Sequence, residues 1–350
     1  MVKDLCFEII ESCPNECKFC SSNSCINKQQ IISFEDFKRV IDYFISKGGI
    51  GELSLSGGEP FLHPDIFKMV EYAKSFNIRT VIFTSGIKRP LPVPEELFNF
   101  YLAEMNEEIS LVEQQEPWND RLKNNIKKYY ERIIFPKEFS CITKEELSKL
   151  QSLGLDKIVF DYQAYEIKTD NYLMGRNNQM HAFLLDSLLH AASIGLETDV
   201  HFIPMKPNYR EISDILEMLE IAKIKNISIL KFVPQGRGLI NISQLMLDEA
   251  ELNEFMEVLN ESRSLFTGNI RIGIPLIGEN THMCNAGLEK LDIKFDGTIL
   301  PCPAFKELDL ETMQKYGIKH YSIYKNLEEV KTPGGKRLVP LCQKVYSNKN

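Results

Sequence analysis

Strand-like and helix-like segments alternate six times along this chain, and that alternation restricts the fold more than any other feature of the sequence. Residues 4–10 read as a first strand. Ser33 then caps a helix carrying Phe34, Phe37, Val40, Ile41 and Phe44 on one face, with Asp36 at the capping-box position and Gly48-Gly49 as its stop. Leu53 and Leu55 alternate with serines in a second strand, Pro64-Asp65 opens a second helix, and residues 80–84 form a third strand. The series resumes with a helix opening at Thr143, strands at 158–160, 200–203 and 227–233, and helices at 181–194, 212–221 and 248–259. Repeated strand–helix units fold as a parallel sheet with crossover helices, so an α/β fold is expected, its sheet curled or open.

Parallel α/β sheets bind ligands at the carboxyl ends of their strands. Three chemistry-bearing segments fall there. Cys13, Cys17 and Cys20 follow the first strand in the stretch CPNECKFC, Gly57-Gly58-Glu59-Pro60 follows the second, and Thr84-Ser85-Gly86 closes the third. Soft thiolates spaced CX3CX2C can bind three irons of a cubane cluster and leave the fourth iron without a protein ligand. Zinc is the competing reading, but it wants four ligands, and only Cys25 lies close to Cys20. The glycines let backbone approach a ligand closely, and the Glu59 carboxylate can accept from an ammonium.

At 350 residues, with 43% hydrophobic and 26% charged side chains, the chain can bury a large core and divides most naturally into two units. Nine cysteines, one tight triplet and otherwise scattered, do not make a secreted disulfide framework. No signal segment opens the sequence and no apolar run approaches the roughly 18 residues that span a bilayer, so a cytoplasmic protein without a membrane partner is expected. The net charge of −8, with Lys and Arg dispersed among acids, argues against a nucleic-acid partner. Between 88 and 140 the alternation breaks into an insertion, acidic from Glu104 to Glu116 and basic from Arg121 to Lys128. It reads either as a lid near the sheet's mouth or as a solvated helical hairpin.

From about residue 269 the pattern changes to short strands. Leu291, Ile293 and Phe295 alternate with polar residues up to Asp296-Gly297, a strong hairpin signal. Such a hairpin can bring Cys284 and Cys302 towards a common point.

The cysteine triplet, with Phe19 before its last thiol, and the glycine turn together resemble the radical S-adenosylmethionine (radical SAM) superfamily. The resemblance implies a partial (β/α)6 TIM-like barrel over residues 1–240, interrupted by the insertion at 88–140, and a linker helix with a small, hairpin-containing, twitch-like domain over 241–350. It implies a 4Fe-4S cluster on Cys13, Cys17 and Cys20 whose open iron binds S-adenosylmethionine. Gly57, Gly58, Glu59, Pro60, Thr84 and Ser85 are then cofactor contacts, and Arg176 in Gly175-Arg176 resembles a position whose arginine pairs with the cofactor carboxylate. Ser85 stands where relatives often carry Asn, and Val159-Phe160-Asp161-Tyr162 departs from the Ser-Leu-Asp-Gly run of peptide-modifying relatives. Pro234-Gln235-Gly236-Arg237 follows the sixth strand as similar segments do.

Cys284 and the GX4C run from Gly297 to Cys302 are similar to the opening of the SPASM or twitch extension, of whose later cysteines only Cys342 is present. That implies an auxiliary 4Fe-4S cluster on Cys284, Cys302 and Cys342, with Cys6, Cys25, Cys141 or His282 able to lend a fourth ligand. The implied activity is reductive cleavage of S-adenosylmethionine to a 5′-deoxyadenosyl radical that abstracts a hydrogen atom, with flavodoxin or ferredoxin as reductant. A peptide or protein substrate is expected; a sugar, aminocyclitol or nucleotide undergoing dehydrogenation or epimerisation is the alternative, and a non-catalytic metal-binding module the reading from another class. Sequence assigns no catalytic side chain.

Overall fold

A computed structural model describes residues 1–89, 95–134, 139–278 and 283–346. Seven strands run parallel, each beside its predecessor: β1 (Val2–Ile10), β2 (Ile50–Gly57), β3 (Arg79–Thr84), β4 (Lys157–Asp161), β5 (Thr198–Phe202), β6 (Asn226–Ile229) and β7 (Asn269–Ile272). On the other side of β1 lie β8 (Lys290–Ile293), parallel to it, then β9 (Thr298–Leu300) and β10 (Tyr321–Ser322), each antiparallel to its neighbour. The ten-stranded sheet is therefore open, ending at β7 and β10. The hairpin expected at Asp296-Gly297 forms, and it extends the same sheet. Local sequence signals cannot reveal that join, because Lys290 meets Asp4 across 286 residues.

Each crossover carries a helix. The first, α1 (Phe34–Ser46), starts where the Ser33 hydroxyl accepts from Asp36 N at 3.1 Å and buries Phe37, Val40, Ile41 and Phe44. It is followed by α2 (Ile66–Ser75) in the next crossover. The insertion, Lys88–Ser140, is a compact unit by itself, built on α3 (Glu95–Gln115) and α4 (Asp120–Ile134) packed as a hairpin. Tyr130 Oη donates to Glu108 Oε1 at 2.8 Å across it, and Trp118 stands 79% exposed at the turn. The main unit continues with α5 (Lys144–Ser152), α6 (Ile167–Met174), α7 (Asn178–Ser193) and α8 (Ile212–Ile221). The Thr143–Glu146 capping box starts α5. Two short helices, α9 (Arg237–Ile240) and α10 (Ile242–Leu245), precede α11 (Glu249–Ser262). The sequence signals missed α6, α9 and α10 because each is shorter than the roughly 11-residue window over which an apolar period can be read. They also ran the sixth strand on to 233, where the ladder ends at Ile229.

Strand alternation sorts the two faces of the sheet. Leu5, Phe7 and Ile9 of β1, Leu53 and Leu55 of β2, Ile82 of β3 and Phe160 of β4 join the helices in one apolar core. Their alternates, Cys6, Glu8, Ser54, Ser56, Asp161, His201 and Asp292, face the other way. A polar inner face is unusual for parallel strands, which are normally apolar on both sides, and marks the side where a ligand is handled.

Candidate metal and cofactor site

The loop after β1 is held from three directions, mostly through its backbone. From β2, Gly58 N donates to Ile10 O at 2.6 Å and Glu59 N to Ser12 O at 2.8 Å. A Cβ on Gly58 would stand 2.1 Å from Ser12 O, so only glycine lets the two chains meet there. From the end of α6, Leu173 O and Met174 O accept from Lys18 N at 2.8 Å and Glu16 N at 3.1 Å. From α9 and α10 come the third set of contacts. Arg237 donates through Nε to Cys17 O, through Nη2 to Ser24 O and through its own N–H to Cys20 O, while Asn241 Nδ2 donates to Lys18 O. Gly236, at φ +52°, allows this approach, since a Cβ there would meet Cys20 O at 2.6 Å. The Gly236-Arg237 signal was visible in the sequence; the job of clamping cysteine-loop carbonyls was not, because it joins residues more than 200 apart.

Cys13 is buried, and Cys17 and Cys20 are half-buried. Burial pushes the Cys13 and Cys17 thiols well above their usual range, and each feels the charge of the neighbouring thiols, which places the three together. Binding iron at these sulfurs must therefore release protons. Among the described residues no three His, Cys, Asp or Glu side chains converge on one point as a single metal ion requires.

Glu59 is fully buried, and four donors fill its carboxylate: Thr84 Oγ1 and Phe61 N on Oε1 at 2.7 and 3.1 Å, Ser85 N and Ser85 Oγ on Oε2 at 2.7 and 2.6 Å. Burial still lifts its pKa to about 7. With two acceptor positions per oxygen, four donors leave none for an ammonium. The acid joins the end of β2 to the end of β3. Thr84 and Ser85 owe their positions to it.

Arg176 is buried and makes a bidentate pair with Asp170, both contacts at 2.6 Å, and His181 Nδ1 lies 3.0 Å from the same acid. Its third nitrogen, Nη1, is buried without a partner. Both Arg176 and Asp161 act electrostatically on Cys17, so that nitrogen stands in the neighbourhood of the thiols. An unpartnered guanidinium nitrogen costs free energy until an anion meets it. The donor set and this nitrogen fit a three-thiolate cluster carrying a ligand with a carboxylate.

The second cysteine set is held differently. Cys302 and Cys342 feel each other electrostatically, and both pack against Leu300, Phe305, Leu308, Met313, Ile318 and Val345. Burial lifts the Cys302 thiol to about 11, with Lys290 pulling it down. Cys284 is paired through its backbone with Arg337, and Gly287, three residues on, donates to Pro301 O beside Cys302. His282 lies outside the described residues. Of the other expected lenders, Cys6 is on the inner face of β1, 3.3 Å from Ser56 Oγ, and the Cys25 carbonyl accepts from Cys13 N.

One buried charge network reaches from the second set to the first. Lys306, four residues past Cys302, donates to Glu8 Oε1 on β1 and to Ser22 Oγ, which itself donates to Glu8 at 2.6 Å two residues past Cys20. Asp292 also faces Lys306. It is fully buried, and burial lifts it to about 6.

Residues 7–111 match the family model described as Radical SAM superfamily. The PqqA peptide cyclase of Bradyrhizobium diazoefficiens is 20% identical over 316 residues, 88% of this chain and 69% of that protein. The S-adenosylmethionine-dependent nucleotide dehydratase of Selenomonas ruminantium is 29% identical over 92 residues, 26% of this chain and 33% of that protein. Among solved structures, Streptococcus suis SuiB bound to S-adenosylmethionine shares the fold with a TM-score of 0.63 at 16% identity, over 99% of this chain and 68% of that one. SuiB bound to precursor peptide SuiA gives 0.64 at 17%, over 95% of this chain and 65% of that one. The chain thus spans about two thirds of the length of its long matches.

Proposed function

We propose, from the match of residues 7–111 to the Radical SAM superfamily model, that the chain reductively cleaves S-adenosylmethionine to functionalise a C–H bond of a peptide or protein. The observation that carries this reading is the cysteine loop clamped at the strand ends, with the unpartnered Arg176 nitrogen beside it. Similarity to a peptide cyclase along 88% of the chain supports the peptide substrate.

In this reading Cys13, Cys17 and Cys20 hold a 4Fe-4S cluster, and the backbone of Gly57, Gly58 and Pro60 lies against the cofactor's methionine end. Thr84 and Ser85 line the same end, held there by Glu59. Arg176 Nη1 takes the cofactor carboxylate while Asp170 keeps the guanidinium from turning. Bound together, the reduced cluster and S-adenosylmethionine supply a 5′-deoxyadenosyl radical that removes a hydrogen atom from the substrate. The chain positions the C–H bond. Cys284, Cys302 and Cys342 hold an auxiliary cluster, and Lys306 ties that segment to β1. A flavodoxin or ferredoxin delivers the electron. Clustered reduced thiols fit the cytoplasm, and among the described residues no helix is long and apolar enough to cross a membrane.

Anaerobic reconstitution tests the reading. Brown protein with about eight irons per chain is expected, falling to about four when Cys13, Cys17 and Cys20 are replaced together. Colourless protein holding stoichiometric zinc would refute it.

A further inference from the structure

Two side chains on the inner face have no part in the site so far. Asp161 ends β4, and His201 is its register partner on β5, so the two stand side by side on the inner face of the sheet. Both are half-buried, and among the described residues no hydrogen bond reaches the Asp161 carboxylate or the His201 ring nitrogens. Phe83, the inward residue of β3, sets its ring 5.2 Å from the imidazole. The charges that face this pair are Arg271 and Lys157 on His201, and Arg176 with Cys17 on Asp161.

Half-buried polar side chains that bond nothing in the fold lose their water when a ligand covers them, which is costly unless the ligand meets them. Burial, helped by Arg271 and Lys157, holds the imidazole at about 3, so it is neutral and offers one N–H donor and one lone pair. Burial lifts Asp161 to about 6, which still leaves a carboxylate acceptor at neutral pH. One acceptor and one neutral donor therefore stand a strand spacing apart, about 4.8 Å. In an extended peptide the N–H and C=O of one residue point to the same side, as they do in an antiparallel ladder. Arg271 and Lys157 repel a cationic group, and Asp161 repels an anionic one.

We propose that Asp161 and His201 seat one extended residue of the substrate backbone, its N–H on the carboxylate and its C=O on the imidazole N–H, with its apolar side over Phe83. The seat fixes which residue of a peptide presents its C–H bond. It rests on the peptide reading above and names the part of the peptide that is held.

The test supplies reconstituted, reduced enzyme and S-adenosylmethionine with either a tryptic digest of perdeuterated protein or perdeuterated glucose. The readout is the deuterated fraction of the 5′-deoxyadenosine formed, a ratio unaffected by how much cofactor is cleaved. Deuterium from the peptide digest is expected with the unsubstituted enzyme. His201→Phe and Asp161→Ala should each lower that fraction about tenfold, whereas His201→Gln, which keeps a donor and an acceptor, should stay within about threefold. An undiminished fraction in His201→Phe overturns the seat and leaves the peptide reading standing. Deuterium from glucose alone, or from neither pool, overturns the peptide reading and the backbone seat with it.

Discussion

The two cysteine sets differ in what holds them. The first is gripped by backbone from β2, α6 and α9, with carbonyls of its own loop accepting from Arg237 and Asn241. The second sits in short segments at the sheet's added edge, with a six-residue apolar cluster behind Cys302 and Cys342 and a two-bond ladder to Arg337 at Cys284. Rigid framing suits a site that must fix a cofactor for radical generation, where small misplacements are expensive. A lightly framed site suits a role in which a cluster needs only to be near. Lys306 is a buried charge that crosses from the second set to the first.

Gly58→Ala should break the contrast most sharply. Its Cβ would displace the Ser12 carbonyl, cost on the order of 5 kcal/mol in denaturant unfolding and empty the first site of about four irons. Lys306→Met comes next, at about 3–5 kcal/mol, because it strands Glu8 and Asp292 as buried unpaired acids. Its pH dependence has a definite sign. Asp292 has a raised pKa in the fold, so this acid's contribution to stability is greatest at low pH and is lost as pH rises through about 6. Without Lys306 the Asp292 carboxyl rises further, so the deficit should be larger at about pH 8 than at about pH 5. An equal deficit at both would show that packing of the lysine stem, not charge, is what matters.

Arg237→Met should cost about 2–3 kcal/mol through two orphaned carbonyls, those of Cys17 and Ser24, and broaden the first cluster's EPR signal, with the second site's iron retained. Cys342→Ala is the mildest, at about 1 kcal/mol, with iron lost from the second site alone. If Cys342→Ala instead emptied the first site, the two sets would not be separable as their framing suggests.

Much of this was readable from residues. The strand–helix series, the Ser33 and Thr143 caps and the Asp296-Gly297 hairpin are local signals, and they appear where the periodicity places them. The cysteine triplet and glycine turn likewise announce chemistry by spacing. What stayed hidden is long-range. Nothing local reveals that β8 joins β1, that Arg237 clamps a loop more than 200 residues earlier, or that Lys306 pairs with Glu8. Glu59 shows the limit within a motif: its carboxylate, expected to meet an ammonium, is filled by Thr84, Ser85 and Phe61. Asp161 and His201 escaped notice as a pair because their adjacency is a matter of sheet register.

The central claim is that the framed cysteine loop generates a radical from S-adenosylmethionine. The direct measurement is 5′-deoxyadenosine released by anaerobically reconstituted, dithionite-reduced protein given S-adenosylmethionine. Release from the unsubstituted chain and from Cys302→Ala, but not from Cys13→Ala, is the predicted result. No release from fully iron-loaded protein, or equal release from Cys13→Ala, would contradict it.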